Sequence, residues 1–228
     1  IEIKYAEKMK IVQIDFEMTS ATVFILNNYS LKKINDLTNL EPIHLKFKPA
    51  ISKKDFTEKI NTIKSDICQG RYYQVNFTSR FTAETSEDSL ILFKKYLGVF
   101  QARFSAFLPL VDSEILCYSP ELFLDKKKST LRTEPIKGTL ATTVNQLLSS
   151  EKENAELSMI VDLLRNDLNA VCDAPVTVTQ HRQILDLGYT KHTYSEIQGQ
   201  TDRDLADILK LTFPGGSISG CPKTESLL

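Results

Sequence analysis

The clearest rhythm of apolar positions lies at Phe56, Ile60, Ile63 and Ile67, spaced by fours and threes. That spacing puts the side chains on one face of an α-helix. Ser52 stands where an N-cap would accept from the first free amides, Asp55 falls in the first turn, and Gly70 marks a stop, so a helix is predicted over residues 52–69. Residues 71–83 then alternate, with Tyr73, Val75 and Phe77 set against Gln74, Asn76 and Thr78, which predicts one strand with a polar face. A second helix is predicted over residues 86–97. Strands follow over 102–110, 114–118, 122–125 and 130–134, in the manner of an antiparallel meander. Pro135 and Gly138 interrupt the run and predict a tight turn over Ile136-Lys137-Gly138-Thr139. The longest helix is predicted over 147–168, with Leu157, Met159, Ile160, Val161, Leu163, Leu164 and Leu168 covering nearly every face. Short strands at 176–178 and 194–197, a helix at 202–211 and a Gly/Pro/Ser loop at 213–223 complete the pattern. Upstream, 10–16 and 21–26 read as strands, and the polar stretch 27–49 as a connector. No regular β-α-β period appears, so an α+β architecture with largely antiparallel sheets is expected. The expected organisation is a strand-and-connector region at 1–50 and a catalytic domain at 51–228.

Composition changes this picture little. The chain has 228 residues, 42% hydrophobic and 25% charged, enough to bury a sizeable core. The net charge of −1 provides no basic field for nucleic acid, and Lys126-Lys127-Lys128 is expected on a solvated turn. Cys68, Cys117, Cys172 and Cys221 are scattered and the histidines are dispersed, which matches neither a disulfide scaffold nor a zinc site. No signal-peptide pattern stands at Ile1 and no apolar run could span a bilayer, so a cytoplasmic protein without membrane or nucleic-acid partners is expected.

Certain segments are more polar than their surroundings. Gln74 and Asn76 share one face of their strand, which is either solvated or part of a site. Glu121, in Ser-Pro-Glu-Leu-Phe-Leu, is either an edge carboxylate or a desolvated one whose raised pKa suits a general acid. Lys137, on its Pro/Gly segment, is either a surface lysine or one aimed at a point as a nucleophile. Glu153 and Glu156 share a helix face. They form either an acidic first turn favoured by the helix dipole or the start of a Mg²⁺ site. Asp162, Arg165, Asn166 and Asp167 are expected to pair internally on a buried helix beneath the site. The loop 214–223, Pro-Gly-Gly-Ser-Ile-Ser-Gly-Cys-Pro-Lys, can bring backbone amides close to an anion but lacks the Walker spacing.

In this order, Tyr-Gln-Val-Asn (73–76), Ser-Pro-Glu (119–121), Pro-Ile-Lys-Gly-Thr (135–139), Ala-Glu-x-x-Met-Ile-Val-Asp-Leu-x-Arg-Asn-Asp-Leu (155–168) and the loop 214–223 resemble the chorismate-binding family. That family holds anthranilate, aminodeoxychorismate, isochorismate and salicylate synthases. The resemblance implies two large, mostly antiparallel sheets packed together with helices outside. It implies Lys137 and Glu121 as catalytic nucleophile and acid, and Mg²⁺ on Glu153 and Glu156. Gln74, Thr139, His192, Ser217, Ser219 and Gly220 would contact chorismate. Gln74 stands where the water-adding members carry lysine, and Lys137 where anthranilate synthases usually carry alanine. The pair implies amination at C4 to 4-amino-4-deoxychorismate, with ammonia from a glutamine amidotransferase. The rivals are an anthranilate synthase component I, a non-catalytic chorismate-binding or regulatory domain, and an unrelated α+β domain. The family's pattern continues well past Pro-Lys with a second Glu-x-x-Glu pair and further substrate-binding residues. It also has a Gly-Gly-x-x-Gly strand region nearer its start, so this chain is expected to represent part of the domain.

Overall fold

The computed structural model describes residues 2–15, 20–33, 43–100, 102–140, 150–187 and 190–227, with backbone alone for the first two stretches and for 139–140. Every strand pair among them is antiparallel. Strand β1 (Glu2–Asp15) pairs with β2 (Ser20–Lys33) along its whole length, from Glu2 opposite Lys33 to Asp15 opposite Ser20. The two upstream strands are therefore longer than predicted, and residues 27–33, expected in a connector, continue β2. Phe16, predicted as a strand end, lies outside the described residues.

Helix α1 (Lys53–Cys68) follows the short strand β3 (Lys48–Pro49) and has the predicted cap: Asp55 N–H donates to Ser52 Oγ at 3.1 Å. Gly70, at φ 77°, takes the left-handed conformation that ends it. None of its residues is buried, although the Phe56 ring lies tilted against Phe77 at 5.5 Å between centroids. The single strand predicted over 71–83 is instead two short ones, β4 (Gln74–Val75) and β5 (Phe81–Thr82), on different partners. Tyr72 is the buried residue and Tyr73 is 72% exposed, the reverse of the predicted face. The Tyr72 hydroxyl donates to Asp66 in α1 at 2.9 Å, which turns that ring inward.

Helix α2 (Ser89–Phe100) begins three residues later than predicted, because the Asp88 carboxylate accepts from both Leu90 and Ile91 amides at 3.0 Å. Phe93 and Leu97 bury against Phe107 of the hairpin β6 (Phe104–Pro109) and β7 (Glu114–Ser119).

The largest sheet has five strands. β8 (Leu122–Lys127), β9 (Thr130–Glu134) and β10 (Ile136–Leu140) precede helix α3 (Glu151–Asn169). β11 (Thr177–Asp186) and β12 (Lys191–Gln200) follow it. The order is β10-β12-β9-β8, with β11 on β12 as well. The meander is thus broken: β7 pairs with β6 and not with β8. β9 and β10 run in line along β12, separated by Pro135, whose carbonyl still accepts from Ser195 N–H at 3.2 Å. The turn predicted at 136–139 is a bulged strand. Lys137 faces Thr193, but Leu140 faces Lys191, so one extra residue is absorbed on β10. Gly138 stands in that stretch at φ 66°, a conformation that any other residue adopts only with strain.

α3 closes one face of this sheet. Leu157, Ile160, Val161, Leu164 and Leu168 form a core with Leu131 and Ile197 of the sheet. They recur at steps of three and four, so the helix has one buried stripe. Asp162, Arg165 and Asn166, expected inside, lie exposed, and Asp162 pairs with Arg165 at 3.1 Å. Asp167 alone of the four is buried, and it meets Lys223 at 2.7 Å. The start predicted at 147–149 lies outside the described residues, and Ser150 caps the helix observed. Helix α4 (Leu205–Thr212) leads to a 3₁₀ turn (Gly216–Ile218) and β13 (Gly220–Cys221), where only a loop was predicted, and then to α5 (Lys223–Leu227).

Candidate active site

The register of β8 against β9 brings the first two site residues together. Leu122 faces Glu134, so Glu121 falls beside Pro135 and Ile136, at the head of β10. Its carboxylate accepts from the Ile136 amide and the Ser217 hydroxyl and lies within reach of the Lys137 charge. Burial nevertheless dominates and pushes the Glu121 carboxyl above the ordinary glutamate range, although all three contacts oppose the rise. Residues eighty apart in sequence thus meet at one carboxyl group because β10 and the loop after α4 converge on the start of β8.

A cavity of about 350 Å³ opens beside this carboxyl. Glu121 and Ser217 supply polar groups to a wall otherwise formed by Phe123, Phe213, Leu164 and Ile218, among others. The Phe123 and Phe213 rings meet edge to face at 6.2 Å. A methyl group on Gly216 would come within 2.1 Å of Leu163, so only glycine lets the loop lie this close to α3.

Gln74, Ser219 and Gly220 form a second group. β13 pairs with β4, setting Gly220 opposite Val75 and Cys221 opposite Gln74. Asn76 N–H donates to the Ser219 carbonyl at 2.7 Å, and the Ser219 hydroxyl donates to the Gly215 carbonyl at 3.0 Å. This group therefore joins the cavity through Gly215 but does not line it. The Gln74 side-chain oxygen is buried without a hydrogen-bond partner among the described residues. A methyl group on Gly220 would lie 2.4 Å from the Gln74 carbonyl. Gly220→Ala is expected to push β13 off β4 and cost about 1–3 kcal/mol, read as a lower urea midpoint.

His192 approaches from β12, on the far side of Lys137. Its Nδ1 lies 2.9 Å from the Gly138 carbonyl and its Nε2 3.1 Å from the Thr190 hydroxyl. The side chain of Thr139 lies outside the described residues. Glu153 and Glu156 are on the first turns of α3, which packs against β10. They do not line the cavity: Glu156 stands roughly 12 Å along the helix from Leu164 at 1.5 Å per residue. As an all-oxygen donor set of two carboxylates they fit a cation that keeps several waters, as Mg²⁺ does. Among the described residues no group of three or more acidic, His or Cys side chains could hold a metal ion. Among the described residues Glu156 pairs with Lys152 at 3.8 Å, a solvent-accessible pair that is weak competition for a cation.

The sequence reading missed the aromatic wall of Phe123 and Phe213, and Thr193 beneath Lys137. The wall had a signal in the apolar run 122–124 beside Glu121. Thr193 had none, because a threonine in a strand is ordinary.

No helix among the described residues is long and apolar enough to cross a membrane. Among curated relatives, the chain is 34% identical over 189 residues to aminodeoxychorismate synthase component 1 of Klebsiella aerogenes, covering 78% of this chain and 42% of that protein. It is 33% identical over 194 residues to an anthranilate synthase component 1 of Haloarcula marismortui, covering 79% and 38%. The chain thus spans less than half the length of these relatives. Among solved structures, anthranilate synthase component I from Streptococcus pneumoniae superposes with a TM-score of 0.74 at 30% identity, over 82% of this chain and 43% of that one. The α+β fold is therefore that of the anthranilate synthase component I group. The profile of the family described as chorismate binding enzyme matches residues 12–227, and the chain belongs to that family.

Proposed function

We propose that this chain carries the chorismate site of an aminodeoxychorismate synthase, which replaces the C4 hydroxyl of chorismate with an amino group. The observation that carries the reading is the partly buried carboxyl of Glu121, which lines the cavity, is held by the Ile136 amide and lies within reach of the Lys137 charge. A carboxyl whose pKa is raised by desolvation is better matched to donating its proton to a leaving hydroxyl. An amine on the neighbouring strand can form a transient bond to the ring. In the proposed course the free amine of Lys137 attacks C2, the ring double bonds shift, and the C4 oxygen leaves as water with the Glu121 proton. Ammonia then adds at C4, the double bonds return, and the C2–nitrogen bond to Lys137 breaks. Chorismate and ammonia give aminodeoxychorismate and water. Glu153 and Glu156 would hold Mg²⁺, which when bound offsets the charge of the substrate's ring carboxylate. Gln74, Thr139, His192, Ser217, Ser219 and Gly220 line the substrate's path, and the ammonia comes from a glutamine amidotransferase in the cytoplasm.

Support for the amino product comes from Lys137 and Gln74 and from the aminodeoxychorismate synthases among the relatives. A second reading, an anthranilate synthase component I, is favoured by the Haloarcula and Streptococcus proteins. The protein from its complete gene should be incubated with chorismate, Mg²⁺ and ammonium salt, and the products weighed by mass spectrometry. Aminodeoxychorismate is expected, and its formation should stop with a chelator. Anthranilate with pyruvate would replace this reading by the second.

A further inference from the structure

We infer that Thr193, together with His192, is a positioning residue that sets the aim of Lys137. The inference rests on the proposed role of Lys137 as the nucleophile. Two adjacent side chains of β12 hold two successive carbonyls of the bulged segment. The Thr193 hydroxyl donates to the Lys137 carbonyl at 2.8 Å, and His192 Nδ1 lies 2.9 Å from the Gly138 carbonyl. A carbonyl can only accept, so Nδ1 carries the proton, and in the neutral ring Nε2 accepts from the Thr190 hydroxyl at 3.1 Å.

The need for such a clamp follows from the register. Between Lys137 opposite Thr193 and Leu140 opposite Lys191, one residue of β10 lacks a regular ladder partner. Gly138, at φ 66°, supplies the irregular backbone and has no side chain of its own to hold it. An extended segment with interrupted pairing would swing the residue before it. Thr193 is 1% exposed, so its hydroxyl cannot turn to water, and the bond to Lys137 is the one made for it. Across the strand, the Lys137 charge then falls within reach of Glu121, whose own carboxyl is fixed by the next amide, that of Ile136. The acid and the amine are thus held by one short piece of backbone, Ile136–Gly138, pinned on the other side by His192 and Thr193. None of these clamping contacts asks for the substrate.

Thr193→Val keeps the shape and removes the hydroxyl, whereas Thr193→Ser keeps the hydroxyl. Two readouts are needed in the protein from its complete gene: steady-state chorismate amination, and acylation of Lys137 by limiting acetic anhydride. The acylation is quantified by peptide mass spectrometry against Lys54, which is 83% exposed. For Thr193→Val, kcat should fall roughly 10- to 100-fold with KM little changed, since misplacement of about an ångström costs that much. Acylation of half-buried Lys137 should rise at the same time as the bulge is released. Thr193→Ser should restore both. Wild-type kcat and labelling in Thr193→Val would overturn the inference, as would a lower kcat with unchanged Lys137 labelling. If Thr193→Val melts too low to assay, Thr193→Ala, which also removes the hydroxyl, should give the same paired change, and its absence would equally overturn it. If the unaltered protein fails to aminate chorismate, the proposed function falls, while the labelling comparison still decides whether the clamp holds Lys137.

Discussion

Lys137→Ala is expected to lower chorismate turnover by roughly 10³-fold or more while leaving chorismate binding within a few-fold. The lysine is asked to form and break one bond in the proposed course, and its removal leaves no other amine on β10. Binding should survive, because the cavity wall of Phe123, Phe213 and Leu164 does not include it. Lys137→Arg separates two roles. Arginine keeps a positive charge near Glu121 but does not deprotonate in proteins and cannot act as the nucleophile. If the arginine variant is as slow as the alanine variant, the amine itself is required. If it recovers most of the rate, the lysine acts through its charge on Glu121, and the covalent course is wrong. The alanine variant carries a second signature. The Lys137 charge holds the Glu121 pKa down against desolvation, so its loss moves that pKa further up. Any residual activity should persist to higher pH than in the wild type. Turnover at the wild-type rate would end the covalent proposal without touching membership of the family.

What the chain's pattern made legible was local. Ser52 capping α1, Gly70 ending it and the strands at 122–125 and 130–134 depend on contacts within a few residues, and they stand as read. The family resemblance named both Glu121 and Lys137, and the structure brings the Lys137 charge within reach of the Glu121 carboxyl. The misread parts depend on partners far along the chain. Within 71–83 only Gln74–Val75 and Phe81–Thr82 form strands, and β4 is only as long as β13, a partner that arrives almost 150 positions later. Alternation specifies an extended backbone and not the neighbour that pairs with it. The apolar stripe of α1 similarly states which face seeks cover, and among the described residues it finds little. The segment 136–139 looked like a turn because glycine at positive φ serves turns and bulges equally. Only the pairing with β12 distinguishes them. The reading of α3 erred by counting apolar residues instead of their spacing. Met159 and Leu163 are partly covered at the flanks, and the polar trio Asp162, Arg165 and Asn166 is exposed.

Glu121→Gln is expected to separate activity from stability in opposite directions. The glutamine keeps the shape and the bond from the Ile136 amide but has no proton to give, so turnover should fall about 10²- to 10⁴-fold. The wild-type pH profile should show why. Desolvation holds the Glu121 pKa above that of an ordinary glutamate, so the acid form, and with it the rate, should be lost as pH rises through that raised value. The same shift bears on folding. Between the ordinary glutamate pKa and the raised one, the folded chain binds more protons at this site than the unfolded chain, so stability declines as pH rises across that window. Below the window Glu121 is protonated in both states and contributes no such loss. Above it the partly desolvated carboxylate is a standing cost, which glutamine does not carry. Thermal melts should therefore find Glu121→Gln more stable than wild type above the window, with the advantage shrinking as pH is lowered through it. An equal or lower melting temperature at neutral pH would mean that Ser217, Ile136 and Lys137 together outweigh burial. Glu121 would then be ionised at work, and the proton for the leaving hydroxyl would have to come from another group.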